Sequence, residues 1–350
     1  MNTFKRKPSV SIAISAYNEA EIIKENVNIL CDYLDSLKDY TWELVLVNDG
    51  SKDETGKIAD ELASGKENIR ILHNEKNIYL GNSLRKAFEA CRGDYIVTLD
   101  IDLSYSVDHI KKLLDTIVET KADVVIASPY MKGGKVTGVP FIRNLFSKLV
   151  NKFLSLLAHE KIYTFTGMVR AYNRKFLKNL SLKAQDFEIN PEIIYKTLLL
   201  RGRVVEIPGH LDWTGQKVIS SGRKSKIHFT RGILSGLMSG FIFRPYFFFM
   251  IIGIVLFMVA FYIIVWLIVN TIVIYPHVMV SSDTFFDDRF SVAVAEIFRR
   301  KPYAFLVGGV SLIVSLQFLS LGFLSLQSKR YFEELFNLNT NILKQKDNGD

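Results

Sequence analysis

The chain has only two cysteines in 350 residues. Cys31 and Cys91 lack the close spacing of metal ligands and are too few for a disulfide framework. No Gly-x-x-x-x-Gly-Lys-Ser/Thr occurs, which excludes a phosphate-cradling loop of that kind. No Gly-x-Gly-x-x-Gly follows the first strand-like run, which argues against a dinucleotide-binding domain. The apolar stretch "VSIAIS" after the basic N-terminus is too short for the core of a signal peptide, so the soluble part is expected to stay unexported. The largest absence is of charge. Between Arg244 and Asp283 there is no Asp, Glu, Lys or Arg, and a second uncharged run goes from Pro302 to Ser328. Each is longer than the roughly 20 residues needed to cross a bilayer's hydrocarbon core. Transmembrane helices are therefore expected at 246–270 and 303–327.

The net charge of +8 does not point to nucleic acid, because the excess gathers beside these runs. Lys217, Arg223, Lys224, Lys226, Arg231 and Arg244 precede the first, and Lys329 and Arg330 follow the second. That placement suits anionic headgroups or an anionic substrate at a bilayer surface.

Before Arg244, strand-like and helix-like runs alternate, the pattern of an α/β domain with a mostly parallel sheet. "VSIAIS" (10–15), "WELVLVND" (42–49), "IRILHN" (69–74), "YIVTLD" (95–100) and "DVVIAS" (123–128) read as strands. Helices are expected at 19–37, 81–90 and 109–119, and one after the second strand, where Ser51 and Glu54 match a capping box. In open parallel sheets, ligands bind at the carboxyl ends of the strands. Three polar clusters fall there: Asn18–Glu19, Asn48–Asp49 and Asp100–Asp102.

The last cluster, in "VTLDIDLSY" (97–105), sets two carboxylates among residues that a chain buries. Strand alternation would send Asp100 and Asp102 to one side and Ile101 to the other. Two carboxylates that close raise one another's pKa unless a cation lies between them. Mg²⁺ typically takes one or two carboxylates together with substrate phosphate oxygens. The ligand inferred is a metal-chelated diphosphate.

"SAYNEAE" (15–21), "VNDGSKDET" (47–55), "GNSLRKAF" (81–88) and "TLDIDLS" (98–104) together resemble the motifs of family 2 glycosyltransferases with the GT-A fold. With two C-terminal spans, the chain is similar to the polyprenyl-phosphate branch of that family. The resemblance implies that Ala16, Tyr17 and Glu19 border the nucleotide base and ribose, and that Asp49 contacts the base. It implies that Asp100 and Asp102 hold a divalent cation, Mg²⁺ or Mn²⁺, on the donor diphosphate. "FTGMVRAYNRKFL" (165–177) is similar to a Thr/Ser-Gly-Phe-Arg-Ala-Tyr segment but carries one extra residue, and Tyr163 stands where an Asp often precedes it. "SPYMKGGKV" (128–136) resembles a Ser-Arg-Tyr loop that binds acceptor phosphate, with Pro129 in place of the Arg. Lys132, Lys135 and Arg143 are the basic candidates that remain there. "SSGRKSKIHF" (220–229) resembles a Gly-x-Ser-Lys turn, which makes Arg223, Ser225 and Lys226 candidates for phosphate contact.

From Ile227, apolar residues recur at helical spacing with Lys and Arg at the margins, as in a helix lying in the membrane interface. The expected organisation is a catalytic domain at 1–225, an amphipathic interface helix at 226–245, the two spans joined by a loop at 271–302, and a cytoplasmic tail at 328–350. The expected activity is inverting transfer of one sugar from a nucleotide diphosphate sugar of GDP-mannose or UDP-glucose type to a polyprenyl phosphate, dolichyl or undecaprenyl. The catalytic domain would face the cytoplasm, where nucleotide sugars are mostly made. The partners implied are that donor, that acceptor and the lipid bilayer, with no nucleic acid and with a homo-oligomer left open. Three alternatives stand beside this. A processive polysaccharide synthase would carry Gln-x-x-Arg-Trp, which is absent. Transfer to a lipid hydroxyl, as in diacylglycerol, would need a base, for which Asp186, Glu188 and Glu192 are available. The third is a membrane-tethered nucleotide-sugar binder without turnover.

Overall fold

The computed structural model describes residues 7–158, 161–214, 245–279 and 289–347. They fall into two units, one within Met1–Phe243 and one within Arg244–Asp350.

Among its described residues, the first unit is built on nine strands. They are β1 (Ser9–Ala16), β2 (Thr41–Asn48), β3 (Ile69–His73), β4 (Tyr95–Thr98), β5 (Val124–Ser128), β6 (Lys135–Thr137), β7 (Arg170–Asn173), β8 (Val204–Pro208) and β9 (His210–Asp212). Seven form one sheet in the order β3-β2-β1-β4-β7-β5-β8, and β6 pairs separately with β9. The large sheet is parallel except at β7, which runs antiparallel to both β4 and β5. Among the described residues the unit also holds helices α1 (Ile23–Ser36), α2 (Thr55–Ala63), α3 (Leu80–Ala90), α4 (Asp108–Thr120), α5 (Phe141–Ala158), α6 (Arg174–Lys178) and α7 (Ile189–Leu199).

Alternation along the strands divides the core into two layers. Ile12, Ile14, Leu44 and Leu46 pack with Val27, Leu30 and Leu34 of α1 and with Ile110 and Leu113 of α4. Ala13, Val45 and Val47 point the other way and pack with Leu84 and Phe88 of α3 and Ile193 of α7. α1 buries Ile23, Val27, Leu30 and Leu34, one stripe at helical spacing.

Two local expectations are corrected. The Ser51–Glu54 pair does not form a capping box. α2 begins at Thr55 with no side-chain cap from Glu54, and the Ser51 hydroxyl accepts instead from the Asn18 amide at 3.0 Å. Asp53 takes the role nearer the helix, accepting from the Thr55 amide at 3.0 Å. Nor does β4 reach the aspartates. It ends at Thr98, and Asp100 and Asp102 stand on a turn in which the Leu103 amide donates to the Asp100 carbonyl at 3.2 Å. Leu103 has φ +48°, which an extended strand does not allow.

Among the described residues the second unit holds three α-helices, α8 (Pro245–Ile274), α9 (Arg289–Arg300) and α10 (Pro302–Asp347). Apolar segments long enough to cross a bilayer cover Pro245–His277 and Pro302–Phe332. α8 and α10 are antiparallel and meet along a seam of small residues. Gly253 and Ala260 of α8 are buried, as are Gly308, Ser315 and Gly322 of α10, each series stepping by seven. A Cβ on Gly322 would come within 2.8 Å of Met250, and one on Gly253 within 2.9 Å of Leu319. Small residues let the two backbones approach closely, a feature common where transmembrane helices pair. α10 does not stop at the end of the apolar run but continues to Asp347. The segment expected as a loop contains α9, which buries Ala293 and Ile297 and sets Phe298 edge-on to Phe305 of α10 at 5.3 Å.

Candidate active site

The carboxyl ends of β1, β2 and β4 lie side by side because those strands are adjacent and parallel in the sheet. The loops that follow β1 and β2 are laced together. The Lys52 amide donates to the Asn18 carboxamide at 2.8 Å, the Glu19 amide to the Thr55 hydroxyl at 2.8 Å, and the Ala20 amide to Asp53 at 3.2 Å. Asn18 adopts φ +55°, a conformation that Asn tolerates better than most residues.

Ala16 is buried at the tip of β1, Tyr17 is exposed, and Glu19 is half-buried. Asp49 is only 2% exposed. Its Oδ1 accepts from the Asn74 carboxamide and from the Ile78 amide, both at 2.9 Å. Asp49 therefore holds the 74–79 loop against the end of β2. Gly50 beside it has φ +66°, and a Cβ there would sit 2.2 Å from the Lys76 backbone, so the loop closes on β2 only over a glycine.

The aspartate turn is fixed from three sides. Asn26 of α1 donates to the Ile101 carbonyl at 2.7 Å, the Thr98 hydroxyl donates to the Met168 carbonyl at 2.6 Å, and the Asp212 amide donates to the Ser104 carbonyl at 2.8 Å. Ile101 and Leu99 are buried beneath it. Asp102 accepts from the Ser104 amide at 3.0 Å and lines a cleft of about 380 Å³ with Glu25, Asn26, His210 and Asp212. Desolvation pushes the Asp100 carboxyl up to about 7, and the nearby Asp102 and Glu19 carboxylates push in the same direction. Asp100 thus feels the charge of Asp102 and Glu19, although the strand alternation expected to set Asp100 and Asp102 on one side is absent.

Negative charge gathered around a desolvated carboxyl is of the kind a divalent cation would offset, since oxygen donors suit hard ions. Among the described residues, no group of three or more His, Cys, Asp or Glu side chains is placed to hold a metal unaided. Further ligands would have to come from substrate oxygens.

Arg143, on the first turn of α5, lies over the Trp213 ring with its guanidinium carbon 4.2 Å from the centroid. Burial lowers its pKa, with Tyr130 opposing that shift. Trp213 follows β9 and is anchored through its amide to the Thr137 carbonyl at 3.0 Å. Lys132, before β6, and Lys135, within it, are exposed. Arg223, Ser225 and Lys226, together with the expected interface helix at 226–245, lie outside the described residues except for Pro245, the first residue of α8. Glu192, weighed as a base, accepts from the Lys183 and Ala184 amides and pairs with Lys196 at 2.6 Å.

Two features were missed in the sequence. The first is the outer face of α5, where Phe141 (79%), Ile142, Leu145, Leu149 and Leu156 are exposed. Its signal was there in "FIRNLFSKLVNKFLSLL", apolar at helical spacing with Lys148 and Lys152 between. The second is Arg170, fully buried, whose two terminal nitrogens donate to the Phe165 and Asn190 carbonyls at 2.6 and 2.7 Å. It braces the 165–168 loop that receives Thr98. A strand register that buries an arginine cannot be read from a four-residue run.

The parallel sheet, its paired aspartates and the laced loops at its carboxyl edge define an α/β sugar-nucleotide transferase domain of the GT-A type. The chain belongs to the glycosyl transferase family 2, whose family model matches residues 11–181. It is 31% identical over 209 residues to the polyprenol monophosphomannose synthase of Mycolicibacterium smegmatis, covering 56% of this chain and 75% of that one. It is 32% identical over 202 residues to the dolichol-phosphate mannosyltransferase of Pyrococcus furiosus, covering 57% of this chain and 55% of that one. It is 30% identical over 207 residues to glycosyltransferase AglD of Haloferax volcanii, covering 58% of this chain and 33% of that one. The match thus spans about half or less of the last two relatives.

Proposed function

We propose that this chain is an integral membrane glycosyltransferase that moves one sugar, with inversion, from a nucleotide diphosphate sugar to a polyprenyl phosphate. Its two apolar helices are taken as spans and its catalytic unit as facing the cytoplasm. The observation that carries the acceptor assignment is α5. One helix presents a stacked arginine, Arg143, at its start and an exposed apolar face beside it. That pairing matches a ligand with a phosphate head and an isoprenoid tail. Guanidinium meets phosphate bidentately, and the apolar face suits a lipid surface flanked by lysines. The names of the Mycolicibacterium and Pyrococcus relatives support the same class of acceptor.

In this reading Asp100 and Asp102 hold Mg²⁺ or Mn²⁺ on the donor diphosphate, with Glu19 adding negative charge beside them. Such an ion, when bound, stabilises the charge that develops on the departing nucleoside diphosphate. Tyr17 and Asp49 border the base, and Lys132, Arg223, Ser225 and Lys226 contribute further phosphate contacts. The acceptor's phosphate oxygen attacks the anomeric carbon as the bond from that carbon to the diphosphate oxygen breaks. A phosphate monoester with its second pKa near 6 is largely a dianion at neutral pH, so no residue has to remove a proton. The engagement of Glu192 with two amides and Lys196 fits that.

The test is to incubate membranes containing the full chain with labelled GDP-mannose, UDP-glucose and related donors, and to follow label into lipid. An acid-labile sugar-phosphate lipid is expected. An acid-stable glycolipid, together with loss of turnover in Asp186→Asn or Glu188→Gln at unchanged donor binding, would put a lipid hydroxyl in its place. Donor binding with no product at all would leave the non-catalytic binder.

A further inference from the structure

The seam between α8 and α10 uses one side of α10, with Gly308, Ser315 and Gly322 buried at seven-residue steps. At about 100° per residue, Gln317 lies on the far side of the helix, roughly opposite Ser315. It is exposed there, as is Ser320, and Ile313, Leu316, Leu321 and Leu324 join them to line a shallow groove. Gln317 is also the midpoint of the apolar segment Pro302–Phe332, so a rise of 1.5 Å per residue puts it roughly 20 Å from either end. Among the described residues no hydrogen-bond partner is found for its carboxamide.

A carboxamide has two N–H donors and a carbonyl acceptor. In hydrocarbon each unsatisfied group is costly, and no water is at hand to satisfy it. Copies of one chain insert with the same orientation, so Gln317 of every copy lies at the same depth. Two such helices related by an axis along the membrane normal bring like residues face to face, as a two-fold interface requires. Each carboxamide can then donate to the other and accept from it. Ser320, a turn away on the same face, is small enough to let the helices close.

We propose that the Gln317 face of α10 is a homo-oligomer interface, its occupant a second copy of this chain. The proposal rests on α10 crossing the bilayer, which a separate labelling tests: Met279→Cys and Asp347→Cys, at the two ends of the segment that holds α10, should react with an impermeant thiol reagent from opposite sides of the membrane.

The experiment uses the full chain in lipid vesicles. Gln317→Cys and Ser315→Cys are each treated with a mild oxidant, and disulfide-linked dimer is followed on non-reducing gels. Cys31 and Cys91 are buried in the other unit and supply the background. Gln317→Cys should cross-link at least about tenfold faster than Ser315→Cys, whose side chain faces α8. In parallel, energy transfer between labelled copies reports association. Gln317→Leu should weaken it on the order of 3- to 30-fold, the range for one interhelical hydrogen-bonded pair in lipid, while Gln317→Asn should retain part of it. Equal cross-linking rates, energy transfer unchanged in Gln317→Leu, or a cross-link from position 317 to some other protein would each overturn the proposal.

Discussion

The two units of this chain are built inside out relative to one another. In the catalytic unit the large apolar side chains are inside, and polar groups at the strand ends are held by named partners. Asp49 is gripped by Asn74 and Ile78, and Arg170 by two carbonyls. In the second unit Ile251, Phe261, Ile272 and Leu306 point outward, and glycine and serine occupy the seam. Water drives the first arrangement, since burying apolar area is the main favourable term there. For helices that span a bilayer, lipid would remove that force and leave close packing and polar contacts to hold them together. Substitutions should therefore act differently in the two units.

The largest effect is expected in the catalytic unit. Asp100→Asn or Asp102→Asn should each lower transfer by about 100-fold or more, with folding retained, because the loss of charge stabilisation at the leaving group is of that order. Initial rates with saturating donor, alongside circular dichroism, measure it. Full activity of Asp102→Asn, or of the native chain in EDTA, would remove the metal from the reading.

Arg143→Ala should come next, raising the acceptor KM about 10- to 100-fold, the range for a hydrogen bond to a charged group, while the donor KM stays within error. Arg143→Lys should recover part of this, because a point charge replaces a planar fork. A parallel rise in both KM values would show that Arg143 shapes the whole domain through Trp213.

In the membrane unit, enlarging the seam should matter more than polar change on the surface. Gly322→Leu would drive a side chain into Met250 and should destabilise the α8–α10 pair by about 1–3 kcal/mol. Thermal unfolding in micelles should show this in the transition of the membrane unit. The transition of the catalytic unit should be unaltered.

A smaller effect follows from Asp100. Its pKa in the folded chain lies above its ordinary value, so the folded state holds an extra proton between 3.8 and about 7. Without metal, stability should fall as pH rises through that window, and Asp100→Asn should be the more stable protein above pH 7. A proton there competes with a cation. The rise in Tm given by Mn²⁺ should therefore be largest near pH 8 and shrink towards pH 6. A metal effect independent of pH would argue that Asp100 is not a ligand. Finally, Met279, 96% exposed beyond the end of α8, tests topology without perturbing either unit. Met279→Cys should react with an impermeant thiol reagent outside intact cells, and labelling only after lysis would reverse the orientation.

Much of this protein was legible along the chain. Strand and helix periods placed β1 to β5 and α3 and α4 to within a few residues, and the charge-free runs marked α8 and the apolar part of α10. These features are set locally, by the alternation of side chains and by the length of an apolar run. The motif residues at the carboxyl edge were also legible, because a parallel sheet sends its strand ends to one side. Tertiary structure decided the rest. Ser51 serves Asn18 rather than α2, because the loops after β1 and β2 lie close enough to compete for its hydroxyl. Asp100 and Asp102 stand on a turn, because Asn26, Met168 and Asp212, distant in sequence, fix the backbone at the end of β4 and beyond it. Antiparallel β7 enters between β4 and β5, and Arg143 finds Trp213 seventy residues away. In the second unit the run of apolar letters declared a helix, but only the pairing of α8 with α10 decided which side is seam and which is left exposed. Register and facing depend on what a residue meets, and a sequence read alone has only its neighbours along the chain.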